Sequence, residues 1–310
     1  MSASFNEIWK KSVSETMVSI LERTKVEQGL HIVATPIGNL ADISLRALVT
    51  LRSADIILCE DTRVTAKLKK VFSIETSTEA YHDYNSRKVL PNIITNLENG
   101  KIVALVSDAG TPTISDPGYR LIKAAQECNI PIIAVPGASA VLTALASSGL
   151  PTNQFFFAGF LPAKPIARRK VLSAIRYVPS TLVFYETANR LASSLADMVD
   201  IYETRQAVIS RELTKRFEEI RRGELGVLAK EIADGPRIRG EIVVMVGPSR
   251  SPIKHSLEEI DIMLKKELKN MSVRDATAAV ALKTGIKRKT IYARALTLKS
   301  KVDVSTLKTN

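Results

Sequence analysis

The sequence is poor in cysteine. Its 310 residues include two, Cys59 and Cys128, which lie far apart and belong to no Cys-x-x-Cys or Cys/His cluster. A disulfide-stapled scaffold needs more cysteines than this, and a structural zinc site needs them clustered. Both classes are therefore excluded, and the pattern favours a cytoplasmic location in a reducing compartment.

A secretion signal and a membrane span are also missing from the pattern. Charged residues, among them Glu7, Lys10 and Glu15, interrupt any apolar run near the N-terminus. A long uncharged stretch lies between Glu127 and Lys164, but prolines and glycines divide it into pieces too short to cross a bilayer. We therefore expect no membrane partner.

Phosphate-binding glycine motifs are absent. None of the 14 glycines forms a Gly-x-Gly pair, and no Gly-x4-Gly-Lys-[Ser/Thr] loop occurs. The dinucleotide fingerprint and the P-loop are both excluded. The loops that do occur offer carbonyls, hydroxyls and carboxylates, which suit a nucleoside or a cationic ligand better than a triphosphate.

Positive charge is abundant and uneven. The chain has 44 basic and 32 acidic residues, a net charge of +12. Residues 250–310 hold 14 basic and 6 acidic side chains, so this segment carries +8 and the preceding 249 residues carry +4. A basic excess favours an acidic partner such as nucleic acid, although a solvated, solubilising face is an equally good interpretation of composition alone.

Strand and helix patterns alternate along most of the chain, which predicts an α/β fold. After a polar leader (1–29), we predict a first α/β domain with a mainly parallel sheet (30–150) and a second with a mixed sheet (151–248). A Pro- and Ser-containing linker (248–252) then leads to a small, basic, all-helical appendage (253–310).

Three loops follow predicted parallel strands, at residues 36–39, 108–117 and 136–139, and all are rich in Gly, Pro, Ser and Thr. Ligands of open parallel sheets bind beyond the carboxyl ends of the strands. Turn formers explain any one of these loops, but three at one sheet edge predict a small-molecule cleft.

Charged residues follow another predicted strand. Glu60, Asp61 and Arg63 stand at its carboxyl end, where carboxylates could handle a proton and an arginine could bind an anion. The same residues also suit a helix start, with Asp61 or Thr62 as the cap. The two interpretations are compatible, and the sequence leaves both open.

Taken together, eight segments resemble one family. They are HIVATPIGNL (31–40), EDTR (60–63), SDAGTPTISDPG (107–118), VPGASA (135–140), GFLP (159–162), FYE (184–186), RELTK (211–215) and GEI (240–242). From Leu30 to the C-terminus the chain resembles the ribosomal RNA small-subunit methyltransferase I family, cytidine 2′-O-methyltransferases of the tetrapyrrole methylase superfamily.

The resemblance implies two α/β domains of tetrapyrrole methylase type, S-adenosyl-L-methionine as cofactor between them, and a homodimer. The implied substrate is a cytidine 2′-hydroxyl in the decoding region of small-subunit ribosomal RNA, either naked or in the assembled subunit. The cofactor-binding residues that it implies are Ile37, Gly38, Asp108, Ala109, Gly110, Thr111, Ile114, Ser139, Ala140, Glu186 and Leu213.

Two positions depart from the family pattern. Thr111 replaces the superfamily's Asp, so any role of that carboxylate moves elsewhere, for example to Asp108. Tyr84 replaces the family's usual His. For catalysis we expect Glu60 or Asp61 to accept the proton of the ribose hydroxyl.

Anion binding and the basic appendage complete the expected site. We expect Arg63 and Lys215 to hold phosphate. The appendage reads as helix, glycine turn and basic helix, a helix-turn-helix pattern that docks on nucleic-acid backbone. The RNA-binding residues that we predict are Lys287, Arg288, Lys289 and Arg294.

Two rival functions fit parts of the sequence. A tetrapyrrole C-methyltransferase would have the same fold and would use a basic cleft for its polyacidic macrocycle, but it has no use for the basic appendage. A non-catalytic RNA-binding protein would use the appendage, but the intact cofactor loops argue against it.

Overall fold

A computed structural model describes residues 2–249, 257–269, 271–284 and 286–306. The polar leader forms a largely exposed helix, α1 (Ser2–Arg23), which packs on α2 (Leu45–Ser53). Residues 250–256, which include most of the predicted linker, and Gly285 of the predicted glycine turn lie outside the described residues. No helix among the described residues is long and apolar enough to span a membrane.

The first sheet is fully parallel, with strand order β3-β2-β4-β1-β5. Its strands are β1 (Gly29–Val33), β2 (Ile56–Cys59), β3 (Thr78–Ala80), β4 (Ile102–Leu105) and β5 (Ile132–Val135). The connecting helices are α2, α3 (Thr62–Val71), α4 (Ser86–Glu98), α5 (Tyr119–Glu127) and α6 (Ala140–Ser148), with a short 3-10 turn at Leu40–Asp42. Parallel neighbours require these helical crossovers, so the alternating pattern and the topology agree.

Local capping explains where several helices begin. The side chain of Ser44 accepts a hydrogen bond from the backbone of Ala47 and starts α2. Asp61 does the same for α3 through the backbone N–H of Arg63, at 2.8 Å. Each cap supplies a partner for an N–H that has none inside the helix. The capping interpretation of Asp61 is thus confirmed.

The second sheet is mixed, with strand order β6-β7-β10-β8-β9. Its strands are β6 (Phe155–Phe160), β7 (Thr181–Thr187), β8 (Gln206–Arg211), β9 (Glu219–Glu224) and β10 (Glu241–Val246). Its helices are α7 (Pro165–Ile175), α8 (Leu191–Tyr202) and α9 (Leu225–Asp234). Only β6 and β7 are parallel; the other neighbours are antiparallel, so the prediction of a mixed sheet is confirmed.

The sequence pattern of residues 217–222 predicts a strand that begins two residues too early. The strand β9 spans Glu219–Glu224. The chain turns sharply before it, because Glu212 (φ 50°) and Thr214 (φ 65°) have left-handed backbone and the turn extends to Glu218. Phe217 is therefore part of an exposed loop and not of the strand.

Separate apolar cores lie on both faces of the first sheet and beneath the helices of the second. A further core joins the two sheets. It includes Ile37 and Val141 from the first half and Val183, Leu213 and Met245 from the second. Because these side chains pack together, the loops at the carboxyl edge of the first sheet face the second sheet.

The C-terminal helices form a small core of their own. They are α10 (Leu257–Glu267), α11 (Val273–Thr284) and α12 (Arg288–Thr306). Ile260 and Leu264 pack against Val280, Ile291 and Leu298. The sequence pattern predicts this last helix over residues 288–298, and α12 runs eight residues further, to Thr306.

Candidate functional site

The three loops predicted at one sheet edge come together there. Thr35 and Gly110 exchange both backbone hydrogen bonds, at 2.9 and 3.0 Å, which joins the start of the first loop to the second. The Thr111 hydroxyl donates to the carbonyl of Ala138 at 3.1 Å, which joins the second loop to the third. The loops thus form one continuous polar rim.

The loop of residues 108–117 owes its shape to left-handed backbone at several positions. Thr113 (φ 73°) and Ser115 (φ 67°) adopt it although they are not glycines, and Gly118 (φ 140°) ends the loop. A Cβ on Gly118 would lie 2.7 Å from Thr113 Cγ2, so only glycine fits this turn. Such strained positions concentrate at functional sites.

Between this rim and the second sheet lies a cavity of about 300 Å³. Ten of the eleven residues predicted to bind a cofactor line it: Ile37, Asp108, Ala109, Gly110, Thr111, Ile114, Ser139, Ala140, Glu186 and Leu213. Its volume is at the lower end of the range for small-molecule sites.

Gly38, the eleventh predicted residue, is placed against the loop that follows β8. A Cβ on Gly38 would lie 2.3 Å from Lys215 Cγ and 3.1 Å from the carbonyl oxygen of Leu213. Because glycine has no Cβ, the two loops approach closely. Gly38 therefore permits the wall of the cavity to form.

Several lining residues escaped the sequence analysis. They are Ser115, Asp116, Phe160, Tyr185, Thr187, Ser210 and residues 240–243. Asp116 and Tyr185 lie inside segments that carry the family resemblance. Their positions could therefore have been identified from the sequence, although the resemblance gave them no role. Ser210 lies on β8 and had no signal, because only the docking of the two sheets brings it to the cavity.

The lining of the cavity is acidic and holds no basic side chain among the residues described. Its ionisable residues are Asp108, Asp116, Tyr185, Glu186 and Glu241. Burial and the charges of Glu60 and Asp108 raise the pKa of Asp116 to about 6. Burial, Asp116 and Glu241 raise the pKa of Tyr185 to about 12, so this phenol stays protonated at neutral pH.

Tyr185 is held between two aromatic neighbours. Its ring centroid lies 4.9 Å from that of Phe157 and 5.4 Å from that of Phe160, both on β6. Contacts of this kind add to the energy gained from burial alone. The tyrosine therefore presents its hydroxyl from a fixed ring.

Ser210 presents an unusual hydroxyl. Its side chain is fully buried, lines the cavity and has no hydrogen-bond partner in the structure. A buried polar atom without a partner costs free energy. A ligand that hydrogen-bonds to this hydroxyl would remove that cost.

Comparison with known proteins identifies the family. The sequence model for tetrapyrrole (corrin/porphyrin) methylases matches residues 29–229, and the model for the RsmI C-terminal HTH domain matches residues 255–299. A ribosomal RNA small subunit methyltransferase I from Mesorhizobium japonicum is 47% identical over 275 residues, covering 88% of this chain and 93% of that protein. The chain belongs to the ribosomal RNA small subunit methyltransferase I family.

Other comparisons agree with this placement. The ribosomal RNA small subunit methyltransferase I of Pseudomonas aeruginosa is 43% identical, covering 86% of this chain and 96% of its own. The structure of uroporphyrin-III C-methyltransferase from Thermus thermophilus, complexed with S-adenosylhomocysteine, has a TM-score of 0.50 at 16% identity and covers 71% of this chain and 97% of its own. That likeness supports the tetrapyrrole methylase fold.

In this methyltransferase I family member, the two carboxylates predicted to accept a proton differ in their surroundings. Asp61 caps α3, and hydrogen bonds from the side chain and backbone of Arg63 lower its pKa to about 2. Burial, Asp108 and Asp83 raise the pKa of Glu60. Neither side chain lines the cavity, and a carboxylate with so low a pKa is a weak base.

The two cations predicted to hold phosphate already have carboxylate partners. Arg63 pairs with Asp61 at 2.6 Å. Lys215 Nζ contacts Glu212 and Glu241, each at 2.9 Å. Burial alone would lower the pKa of Lys215, but these two hydrogen bonds raise it. Lys215 thus ties the loop after β8 to the start of β10.

Glu186 is buried and fully engaged on the inner side of the cavity. Its carboxylate accepts hydrogen bonds from the Ser194 hydroxyl at 2.5 Å and from the Thr187 backbone at 2.8 Å, and Arg190 lies 3.4 Å away. These partners satisfy the charge without solvent. Glu186 is therefore a rigid part of the wall.

The predicted RNA-binding residues of the C-terminal helices fall into two groups. Lys287, Arg288 and Lys289 are exposed at the start of α12, and Arg288 and Lys289 form a shallow groove with Arg274 and Tyr292. Arg294 instead binds both carboxylate oxygens of Asp261, at 2.6 and 2.7 Å. Such a bidentate pair joins α10 to α12 and leaves Arg294 a structural role.

Proposed function

We propose that this protein transfers a methyl group from S-adenosyl-L-methionine to the 2′-hydroxyl of a cytidine in the decoding region of small-subunit ribosomal RNA. Family membership supports the reaction class. The observation that carries the proposal is the acidic cavity between the sheets, built by the loops that the family pattern assigns to the cofactor.

The chemistry of the cavity fits this cofactor. Carbonyls, hydroxyls and the apolar side chains of Ile37 and Leu213 suit a nucleoside, and the partnerless Ser210 hydroxyl offers it a hydrogen bond. Asp116 has no cation partner among the described residues, and an unpaired carboxylate favours a ligand with positive charge. S-adenosyl-L-methionine has that charge on its sulfonium and supplies an electrophilic methyl group.

The same electrostatics argue against the nearest rival. A tetrapyrrole C-methyltransferase binds a polyacidic macrocycle, for which a basic cleft would be needed. The described cavity lining instead combines Asp108, Asp116, Glu186 and Glu241. No cation lines the cavity among the described residues to bind the carboxylates of a macrocycle, and a macrocycle would not need the basic C-terminal helices, so we favour RNA.

The RNA side of the proposal uses the C-terminal helices. The groove formed by Arg274, Arg288, Lys289 and Tyr292, with Lys287 beside it, combines phosphate-binding cations with an exposed ring. Cations neutralise phosphates, and an aromatic ring can stack on an unpaired base. We therefore assign Lys287, Arg288 and Lys289 to RNA binding and leave Arg294 out of it.

A cytoplasmic homodimer completes the proposal. Strand β6 lies at the edge of its sheet and exposes Phe155 and Phe156, which are 44% and 40% accessible, and the edge strand β5 exposes Ile132. Exposed apolar edges invite a second chain. Light scattering after gel filtration should give twice the chain mass of 34.0 kDa; a single-chain mass would exclude the dimer.

Mass spectrometry of ribosomal RNA tests the reaction. Small-subunit RNA from cells lacking the gene should lack one 2′-O-methylcytidine, which returns with the wild-type gene. The purified enzyme should restore it in vitro, on naked RNA or on assembled subunits, and the comparison identifies the substrate form. An unchanged nucleoside profile would disprove the proposed function.

A further inference from the structure

Asp116 occupies a distinctive place in the cavity. It lies between Ser115, which has left-handed backbone, and Pro117, at the end of the loop of residues 108–117. On the opposite side, Ser115 Oγ is within 3.1 Å of where a Cβ on Gly159 of β6 would stand. The loop is thus packed against the second sheet, which holds Asp116 in the cavity wall.

A ribose hydroxyl is a poor nucleophile, so its methylation benefits from a group that accepts its proton. Four carboxylates line the cavity among the described residues. Three of them are engaged elsewhere. Asp108 accepts the Asp61 backbone N–H at 3.0 Å, Glu186 has the buried partners described above, and Glu241 contacts Lys215.

Asp116 differs from these three carboxylates. No cation pairs with it among the described residues, and the nearby Ser107 hydroxyl, which lowers its pKa, also donates to the carbonyls of Ala109 and Gly110. The ionisable groups that face it are Glu60 at the end of β2, Asp108 after β4 and Tyr185 on β7, with Glu241 of β10 acting on Tyr185. These neighbours disfavour a second negative charge and make the ionised Asp116 a stronger base than an ordinary aspartate.

We propose that Asp116 is the general base of the methyl transfer; this rests on the proposed function. The 2′-oxygen gives its proton to a carboxylate oxygen of Asp116 and forms the new bond to the methyl carbon. The bond between methyl carbon and sulfur breaks, and its electron pair stays on sulfur. Asp116 then returns the proton to solvent. Tyr185 also lines the cavity and stays protonated at neutral pH.

The pKa of Asp116, about 6, sets the pH dependence of the reaction. A base works only when deprotonated, so the rate should rise with pH up to about 6 and then level off. Above pH 7 most molecules carry the ionised carboxylate. The enzyme would thus be active at neutral pH while keeping a base of useful strength.

The test compares Asp116→Asn with the wild-type protein on ribosomal RNA. We expect kcat to fall by on the order of 100-fold or more, with KM for RNA and the Kd for S-adenosylhomocysteine within threefold of wild type. The acidic limb of the pH–rate profile should disappear. Asp116→Glu should recover part of the rate, and ¹³C NMR of the labelled carboxyl should titrate near pH 6 in the wild-type enzyme.

Asp234→Asn, an exposed change at the end of α9, is the matched control and should keep wild-type kinetics. Near-normal turnover in Asp116→Asn, or loss of the acidic limb in Glu60→Gln with its retention in Asp116→Asn, would overturn the assignment and leave the proposed function standing. If the wild-type enzyme binds S-adenosylhomocysteine but methylates no RNA, the proposed function fails and this inference with it.

Discussion

Lys215 lies across the backbone of Gly38, so close that its Cγ would be 2.3 Å from a Cβ at that glycine. The same lysine reaches Glu212 and Glu241 with its ammonium group. One side chain therefore fixes the distance between a loop of the first sheet and the edge of the second. The width of the cavity depends on this contact.

Substituting Gly38 by alanine should open the cavity. The new Cβ would meet Lys215 Cγ and the carbonyl of Leu213, so the loop after β8 must move. We expect a loss of about 1–3 kcal/mol in the free energy of unfolding and about tenfold weaker binding of S-adenosylhomocysteine by calorimetry. Gly226→Ala, whose Cβ meets nothing nearer than 4.0 Å and which lies in α9, should lower neither the stability nor the affinity. Equal stability and equal ligand affinity in the two variants would contradict this account.

Substituting Ser210 by alanine should separate ligand binding from stability. The hydroxyl has no partner in the protein, so its removal should leave the free energy of unfolding unchanged or slightly higher. Affinity for S-adenosylhomocysteine should fall by about three- to tenfold, the worth of one hydrogen bond.

Ser180 provides the matched control for that experiment. Its hydroxyl is also buried without a partner but lies outside the cavity lining. Ser180→Ala should therefore match Ser210→Ala in stability and the wild type in ligand affinity. Undiminished affinity in Ser210→Ala would show that the hydroxyl does not face the ligand.

The ion pair between α7 and α8 predicts different stability losses when each of two adjacent arginines is replaced by alanine. Arg168 is buried and donates to Asp197 at 2.6 Å, whereas the neighbouring Arg169 is 44% exposed and contacts Asp197 and Asp200. Arg168→Ala leaves a buried carboxylate short of its partner and should cost about 3 kcal/mol or more in urea denaturation. Arg169→Ala should cost less than about 1 kcal/mol. Similar losses in the free energy of unfolding in both variants would refute the distinction between a buried and an exposed ion pair.

Neutralising the start of α12 should weaken RNA binding. We expect the variant with alanine at Lys287, Arg288 and Lys289 to bind small-subunit RNA on the order of tenfold more weakly and to lose about two to three units of the salt-dependence slope. Cofactor affinity should not change, because the cavity is built by other elements. An unchanged slope in filter-binding assays would argue against RNA contact here.

A charge-matched variant provides the control. Alanine at Lys123, Lys170 and Lys230 also removes three exposed positive charges, on α5, α7 and α9. General loss of net charge would weaken RNA binding equally in both variants. A specific surface on α12 predicts a clearly smaller effect in this control.

Asp116 should make stability depend on pH. Its pKa is about 6 in the folded protein and near 3.8 when unfolded, so well below pH 3.8 both states are protonated and no stability is lost. Between these values the unfolded chain ionises first, and stability falls as the pH rises. Above pH 6 the loss in the free energy of unfolding is constant. It is on the order of 1 kcal/mol, because solvent screens this half-exposed group.

Asp116→Asn removes that cost. Chemical denaturation should show the variant more stable than wild type at pH 7.5 and equal to it at about pH 3, with Asp234→Asn as a pH-independent control. Equal stability at both pH values would mean that Asp116 is not in the environment described.

Sequence reasoning reached the residues whose position follows from strand direction. Loops after parallel strands meet at one edge, so Ile37, Asp108 and Ser139 could be grouped without coordinates. Helix caps are similarly local, although the pattern alone could not separate a cap from a base at Asp61. The direction in which that carboxylate turns depends on Arg63, two residues later, whose backbone and side chain both donate to it.

Contacts across the two sheets could not be foreseen in this way. Ser210 and Tyr185 alternate within strands like ordinary core residues, and their exposure to the cavity depends on how the sheets dock. Lys215 looked like an available cation because its partners, Glu212 and Glu241, come together only when β8 pairs with β10.

The apolar core shared by the two sheets makes the site depend on both halves of the chain. Residues 29–150 contain the first sheet and three of the loops around the cavity, yet the opposite wall belongs to residues between Phe160 and Val243. A fragment that ends between the two sheets would keep much of the sequence that carries the family resemblance. It would lack one wall of the cavity. We therefore expect cofactor binding to require both halves of the chain, so that ligand binding reports on their docking.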